Sequence, residues 1–271
     1  MESLAHRPLF LVTALVLIAA ELAWRLVAKR GYDVGEAAAS FGVAAGDIAA
    51  RLLSAGVMGS VFMAIYAVAP FKIDITDPWM WVLAFLLVEF VYYWFHRFSH
   101  TVRWLWATHA VHHSAHELVL PSALRLGWTG LISGGWLMFT PLILAGFHPA
   151  MVAGLLAANL AYQFILHTEL IGKLGPLEWV LNTPAHHRVH HASNEAYLDK
   201  NFGGVLILFD RMFGTFAAEA PGVVIRYGLV HDLKSKNPVV IALHEWGAIA
   251  RDIARAGSLR RALAAAFGRP G

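Results

Sequence analysis

Residues 95–116 read FHRFSHTVRWLWATHAVHHSAH, and this one stretch holds six of the protein's 15 histidines. Within it His96 and His100 are four apart, which on an α-helix sets both imidazoles on one face, one turn above the other. His109, His112 and His113 follow as H-x-x-H-H, whose i, i+3 and i, i+4 spacings again point to one helical face. The same pattern returns as His187, His190 and His191. There is no cysteine, so disulfides, thiolate zinc sites and iron–sulfur clusters are excluded. Eight histidines in three helical clamps therefore read as an all-nitrogen site for a transition metal. Structural zinc closes at four ligands and catalytic zinc at three plus water. Eight are too many for one ion and suit two.

Outward from this stretch the chain is apolar: 58% of residues are hydrophobic and 14% charged, against about 25% charged in soluble domains. That is the composition of a membrane protein. A net charge of +3 is no nucleic-acid signature, because the basic residues flank hydrophobic runs and form no solvated stripe. Residues 8–28 are long enough to cross a hydrocarbon core, which takes about 20 helical residues. Arg25, Lys29 and Arg30 close the run with no small-x-small cleavage site before them, so it reads as an uncleaved helix.

Residues 31–47, rich in Gly, Ala and Asp, read as a polar connector, and 48–69 as a second span closed by Pro70. Residues 79–95 form a third span that starts at the interfacial Trp79 and Trp81 and delivers the chain to His96. Residues 128–147 and 149–166 are expected to be an antiparallel hairpin turning at 146–149 and returning the chain to His167. The expected fold is all-α and membrane-integral. It has three clear transmembrane helices plus a helical hairpin, four to five apolar spans in all, with a histidine-rich helical cap.

Arg25, Lys29, Arg30 and Arg51 surround the first loop, whereas the turn at 71–78 carries only Lys72. The positive-inside rule then places the cap in the cytoplasm of a multi-pass protein of the inner membrane. Three regions are expected: membrane spans and connector over 1–78, a catalytic region over 79–230, and an amphipathic interfacial tail over 231–271 with Arg251, Arg255, Arg260 and Arg261 opposite its apolar positions.

His6, His148, His231 and His244 stand alone and read as ordinary polar anchors. His116 and His186 are open between ligand and supporting roles. His167 ends a span facing the clamps and is a ligand candidate. A ligating histidine normally donates its second N–H to a carboxylate or carbonyl. Glu169, Asp199 and Asp210 are the nearest carboxylates in sequence, equally readable as partners of Arg188, Lys200 and Arg211. Asn159 and Asn182 are candidate orienting residues. The aromatic run Tyr92 to Phe95, with Trp104 and Trp106, reads as an aromatic belt or a lipid channel. Glu21 and Glu89 are ionisable residues inside spans and lie in no histidine pair.

The full pattern, His96 and His100 with His109, His112, His113 and His187, His190, His191, resembles the integral-membrane fatty acid hydroxylase and sterol desaturase superfamily. The words QFILHTE (163–169), LGPLE (174–178), NTPAHHRVHH (182–191) and residues 199–216 are similar to its alkylglycerol monooxygenase-like branch. What the resemblance implies is a di-iron oxygenase that uses dioxygen and external electrons to hydroxylate a lipid. The eight clamp histidines become catalytic metal ligands and His167 a ninth. Two iron ions are the implied cofactor. The implied partners are the membrane, a lipid substrate with an acyl, alkyl-ether, sterol or headgroup C–H, and a separate electron-transfer protein or reductant. Lipid or sterol desaturation and carotenoid hydroxylation are the alternatives within this chemistry. A membrane metal transporter is the alternative outside it, and it would place its histidines near mid-bilayer on repeated halves.

Overall fold

A computed structural model describes residues 7–270. The fold is all-α: no strand occurs among the described residues, where one isolated bridge joins Leu181 to Leu206. Three helices are long and apolar enough to cross a membrane: α1 (Arg7–Val27), α2 (Val34–Val68) and α3 (Pro78–Thr101). Each of the latter two starts on an aspartate cap. Asp33 accepts from the backbone N of Glu36, and Asp77 accepts from that of Trp79 with Pro78 in the first turn, which satisfies amides that would otherwise be orphaned.

The expected connector over 31–47 is instead the first half of α2. Its Gly and Ala residues weaken a helical reading from sequence, but here they permit close packing. The Gly42 position lies against the Pro238 ring and that of Gly46 against the Trp128 indole. At 1.5 Å per residue α2 is about 52 Å long, well beyond a hydrocarbon core of about 30 Å. One half therefore packs on the cap, burying Glu36, Ala37, Ala39, Ser40, Val43 and Asp47, and the other half is left to span.

The hairpin also differs from its expectation. Its first arm is broken into α5 (Gly130–Ser133), a 3-10 turn (Gly135–Phe139) and α6 (Thr140–Leu144), and only its second arm, α7 (Pro149–Phe164), is one helix. Gly134, at φ 72°, and Pro141 interrupt the first arm. The hairpin tip still reaches the end of the bundle remote from the histidines, since the amide of Ile73 donates to Gly146 O at 2.9 Å and the His148 ring packs edge-on against Tyr66. A core of Ala84, Val88, Tyr92, Phe139, Ile143 and Met151 joins α3 to both arms.

The cap is built from α4 (Arg103–His113), α8 (Pro184–His190), α9 (Leu208–Met212), α10 (Pro238–Arg255) and α11 (Leu259–Phe267) with their connecting loops. The tail forms two helices. They fold back onto α4, where Arg103 bonds Glu245 at 2.7 Å and Asp252 at 2.6 Å and the Trp104 indole sits edge-on against Trp246. Ile241, Ala242 and Ile249 are buried by this contact, and Arg251, Arg255, Arg260 and Arg261 remain exposed.

Candidate metal centre

Nine histidines converge at the cap end of α3. His96, His100, His109, His113 and His190 form one cluster and His112, His167, His187 and His191 a second, the ring nitrogens within each lying within 4.8 Å of one another. The elements explain the sorting. His96 and His100 occupy successive turns at the end of α3, and α4 turns back beside them to present His109 and His113, again four apart. His112, next to His113, is rotated about 100° around the helix axis and faces the second cluster. α8 repeats this in mirror sense, sending His187 and His191 to the second cluster and His190 to the first. Each H-x-x-H-H word is thus split between two centres, which corrects the expectation that it acts as one clamp.

Hydrogen bonds fix which nitrogens face inward. The Nδ1 atoms of His96 and His190 lie 2.8 and 2.9 Å from the carbonyls of Phe202 and Lys200. Those of His112 and His167 lie 3.2 and 2.8 Å from the carbonyls of Arg125 and Gln163. A carbonyl only accepts, so each of these nitrogens carries the proton, and in a neutral ring the Nε2 is then a bare lone pair. Burial holds His112 neutral, its pKa pushed down to about 4, and does the same for His190 at about 3. His109, His113, His167, His187 and His191 are likewise pushed well below the ordinary value, by burial first and by the neighbouring imidazoles second.

This donor set fits metal ions. The Nε2 atoms of His112 and His167 face each other at 3.1 Å with no proton between them, a repulsive contact that a cation relieves. His100 Nε2 and His190 Nε2 are buried without a partner. The Nε2 atoms of His96 and His109 are 3.0 Å apart, those of His109 and His113 3.1 Å, and those of His167 and His187 3.0 Å. Two imidazole nitrogens bound at right angles to one ion at about 2.1 Å are separated by about 3.0 Å.

Residues 81–215, which hold all nine of these histidines, match the fatty acid hydroxylase family. The chain carries a fatty acid hydroxylase domain. It is 47% identical to alkylglycerol monooxygenase of Homo sapiens over 174 residues, 64% of this chain and 38% of that protein. It is 51% identical to alkylglycerol monooxygenase of Danio rerio over 157 residues, 58% of this chain and 34% of that protein. Similarity to the ornithine lipid hydroxylase OlsE of Rhizobium tropici is 30% over 135 residues, 50% and 41% of the two chains. The matched region thus spans little more than a third of the alkylglycerol monooxygenases. No solved structure matches.

In this fatty acid hydroxylase domain the supports of the histidines are backbone carbonyls, and the carboxylates act one step further out. Asp210 accepts from the amides of Phe202 and Gly203, both at 2.7 Å, and from the Thr215 hydroxyl. It thereby fastens the loop whose Phe202 carbonyl receives His96. Asp199 and Asn201 adopt φ of 58° and 57°, a left-handed geometry that non-glycine residues rarely take. This geometry turns the intervening Lys200 carbonyl toward His190. Asn201 holds it through bonds to His186 O and Ala217 O.

Asp199 is 3.8 Å from His100 Nδ1, beyond hydrogen-bond reach, and Glu169 pairs with Arg25 at 3.0 Å. Asn182 donates to the carbonyls of Gly203 and Gly204, and Asn159 to Glu89. His116 lies outside both clusters, bonded to Asp232 at 2.5 Å, and His186 Nε2 is 4.0 Å from Glu178.

Two supports were not read from the sequence. Arg125, whose carbonyl orients His112, buries its guanidinium on Glu36 at 2.7 Å and on Ser40 and Ser114. An arginine between Leu124 and Leu126 was the available signal. Glu21 accepts from the amide of Leu120 and the hydroxyl of Thr168 beside His167, so a carboxylate within α1 anchors the cap.

A cavity of about 330 Å³ opens onto His100, His113, His190 and His191 and is walled by Trp106 and Leu198, with His231 and His244 in its lining. His148 caps α7 through the amide of Ala150. His6 lies outside the described residues. Of the aromatic run, Tyr93 bonds Thr215 and Tyr92 bonds Gln163, while Trp106 packs against His100 and His113. Tyr92, against His96, and Trp106 thus border the clusters, while Tyr93 packs further out on Phe202 and Phe213.

Proposed function

We propose that this protein is a membrane-bound di-iron oxygenase that hydroxylates a C–H bond of a lipid. The observation that carries the reading is the pairing of two nitrogen clusters, each with bare Nε2 lone pairs facing inward, at one end of apolar helices. His96, His100, His109, His113 and His190 would hold one iron, and His112, His167, His187 and His191 the other. Bound there, two irons supply activation of dioxygen and attack on an unactivated C–H bond. The balance is one C–H bond, one dioxygen, two electrons and two protons giving one alcohol and one water.

The chain's own residues bind, orient and shield. Carbonyls of Phe202, Lys200, Arg125 and Gln163 hold four imidazoles in one tautomer, and Trp106 and Phe202 pack beside the rings and exclude water. The electrons come from a separate protein or small reductant. Similarity to alkylglycerol monooxygenases makes an alkylglycerol the first substrate to test, with an ornithine lipid, the substrate in the name of the Rhizobium tropici relative, the second. The cap faces the cytoplasm in this reading. In support, the basic loop with Lys29 and Arg30 lies at the cap end, where Arg25 reaches Glu169 and the amide of Asp33 reaches Glu117.

Comparative lipidomics of host cells carrying the native protein or its His187→Ala variant, grown under 18O-dioxygen, tests this. A lipid that gains one labelled oxygen only with the native protein is expected. Loss of two hydrogens without label would make the protein a desaturase, and an unchanged lipidome with metal flux would make it a transporter.

A further inference from the structure

The segments flanking the third histidine word carry an apolar surface at an unexpected depth. Glu89 lies in the middle of α3, about 16 Å along the helix from Pro78, and is buried. Its carboxylate accepts from the backbone amides of Val205 and Leu206 at 2.8 and 3.0 Å. The next residue, Phe90, is 39% exposed on the lipid side of α3, and the Phe209 ring packs edge-on against it with centroids 5.6 Å apart. If Trp79 and Asp77 mark one interface of a core about 30 Å thick, residues 205–209 sit at hydrocarbon depth. They lie about 10 Å below the level of Arg97 on the same helix.

Backbone at that depth must be satisfied by the protein, and the stretch Gly203 to Ile207 is largely so. The amide of Asn182 donates to Val205 O and that of Ile207 to Val180 O. Asn182 Nδ2 covers the carbonyls of Gly203 and Gly204, and Glu89 covers the two amides above. Only apolar side chains then face outward: Leu177 is 55% exposed, Trp179 67% and Met212 70%, with Val180 and Leu208 between them. The charges that ring this surface are already engaged. Lys173 bonds Glu219 O, Glu178 accepts from the amide of Leu174, and Arg211 bonds Glu178 O beneath the Trp179 and Phe216 rings. An apolar patch rimmed by such groups marks an interaction surface.

We infer that residues 177–182 and 204–213 form a re-entrant wedge seated in the hydrocarbon of the bilayer leaflet on the cap side, with Leu177, Trp179, Val180, Leu208 and Met212 against acyl chains. The occupant is lipid because the wedge continues the exposed face of a membrane-crossing helix at Phe90. The cap is therefore sunk into the leaflet. The carbonyl of Phe202 that receives His96 then stands a few residues from the wedge, within reach of a chain that never leaves the bilayer.

The protein contains no cysteine, so single cysteines introduced as Leu177→Cys, Trp179→Cys and Met212→Cys can each be spin-labelled in phospholipid nanodiscs. Val224→Cys, at a position 80% exposed in a cap loop, serves as the aqueous reference. Relaxation by dioxygen, which partitions into lipid, is compared with relaxation by a water-soluble nickel chelate. The three wedge labels are expected to favour dioxygen several-fold over the chelate and Val224 to show the reverse. Chelate access at the wedge equal to that at Val224 would overturn the inference, and so would three labels reached by neither agent, which would mean contact between copies of the chain. Three independent positions guard against one misfolded variant. The readout needs neither iron nor turnover, so it stands or falls separately from the proposed activity.

Discussion

His112 and His113 are adjacent in the chain yet serve different clusters, their ring planes 90° apart and their centroids separated by 5.6 Å. The helix makes this unavoidable, because neighbouring residues diverge by about 100° around its axis. One short helix thereby contributes to both histidine clusters at once.

Under the proposed di-iron reading the two clusters are separable by mutation. His113→Ala should lower bound iron from about two per chain toward one by emptying the first cluster, and His112→Ala should empty the second. Both should lose turnover by a hundredfold or more, whereas His148→Ala should keep metal and activity. Metal analysis with turnover measured on the same samples checks this. Equal loss of both ions in each single variant would mean that the clusters do not bind independently.

Asp210 gives a test of the supporting loop. Asp210→Asn removes the carboxylate that receives the amides of Phe202 and Gly203 and frees the carbonyls that aim His96 and His190. Loss of such support typically costs 10–100-fold in metal affinity. Competition with a chelator at graded concentration should show a weakening of that order, confined to the first cluster.

The buried Arg125 and Glu36 pair predicts a stability effect that is readable without metal. Removing one partner strands a charge in the interior, which costs about 3–5 kcal/mol. Glu36→Gln should accordingly lower the thermal midpoint of the metal-free protein. Arg125→Met combined with Glu36→Leu should recover much of the loss. A full-sized deficit in the double variant would show that the hydrogen bonds of Arg125 to Ser40 and Ser114 matter more than the ion pair.

Acid should destabilise the metal-free protein. His112 and His190 titrate near 6.5 when unfolded but are held down by burial to about 4 and about 3 when folded. As pH falls below 6.5 the unfolded chain takes up protons that the folded one refuses. Each residue then costs about 1.4 kcal/mol per pH unit, down to pH about 4 for His112 and about 3 for His190. Above pH 6.5 neither contributes any slope. Melting of chelator-treated protein between pH 7.5 and 5 reads this directly, and a midpoint that stays flat would contradict the buried neutral state.

The ligand candidates were legible in the sequence because chemistry and spacing coincide: His96 with His100 and His109 with His113 are each four apart on helices that exist. Their division between two centres was not legible, since it depends on where α4 and α8 approach each other in space. The supports were less visible still. Backbone carbonyls such as those of Phe202 and Lys200 carry no residue signature, and Glu36 and Arg125 meet across 89 residues of chain. Among the helices, the long apolar runs gave α1 and α3 closely. α2 was cut short because Gly and Ala weaken the helical signal where they serve close packing, and the broken first arm of the hairpin hid behind a uniformly apolar sequence.

Purified protein loaded with iron, given a chemical reductant and an alkylglycerol in nanodiscs under 18O-dioxygen, tests the central claim most directly by mass spectrometry of the lipid. A product carrying one labelled oxygen atom, absent from the His112→Ala and His113→Ala proteins, is predicted. Iron-loaded, reduced native protein that leaves alkylglycerols and bilayer lipids unlabelled would contradict it.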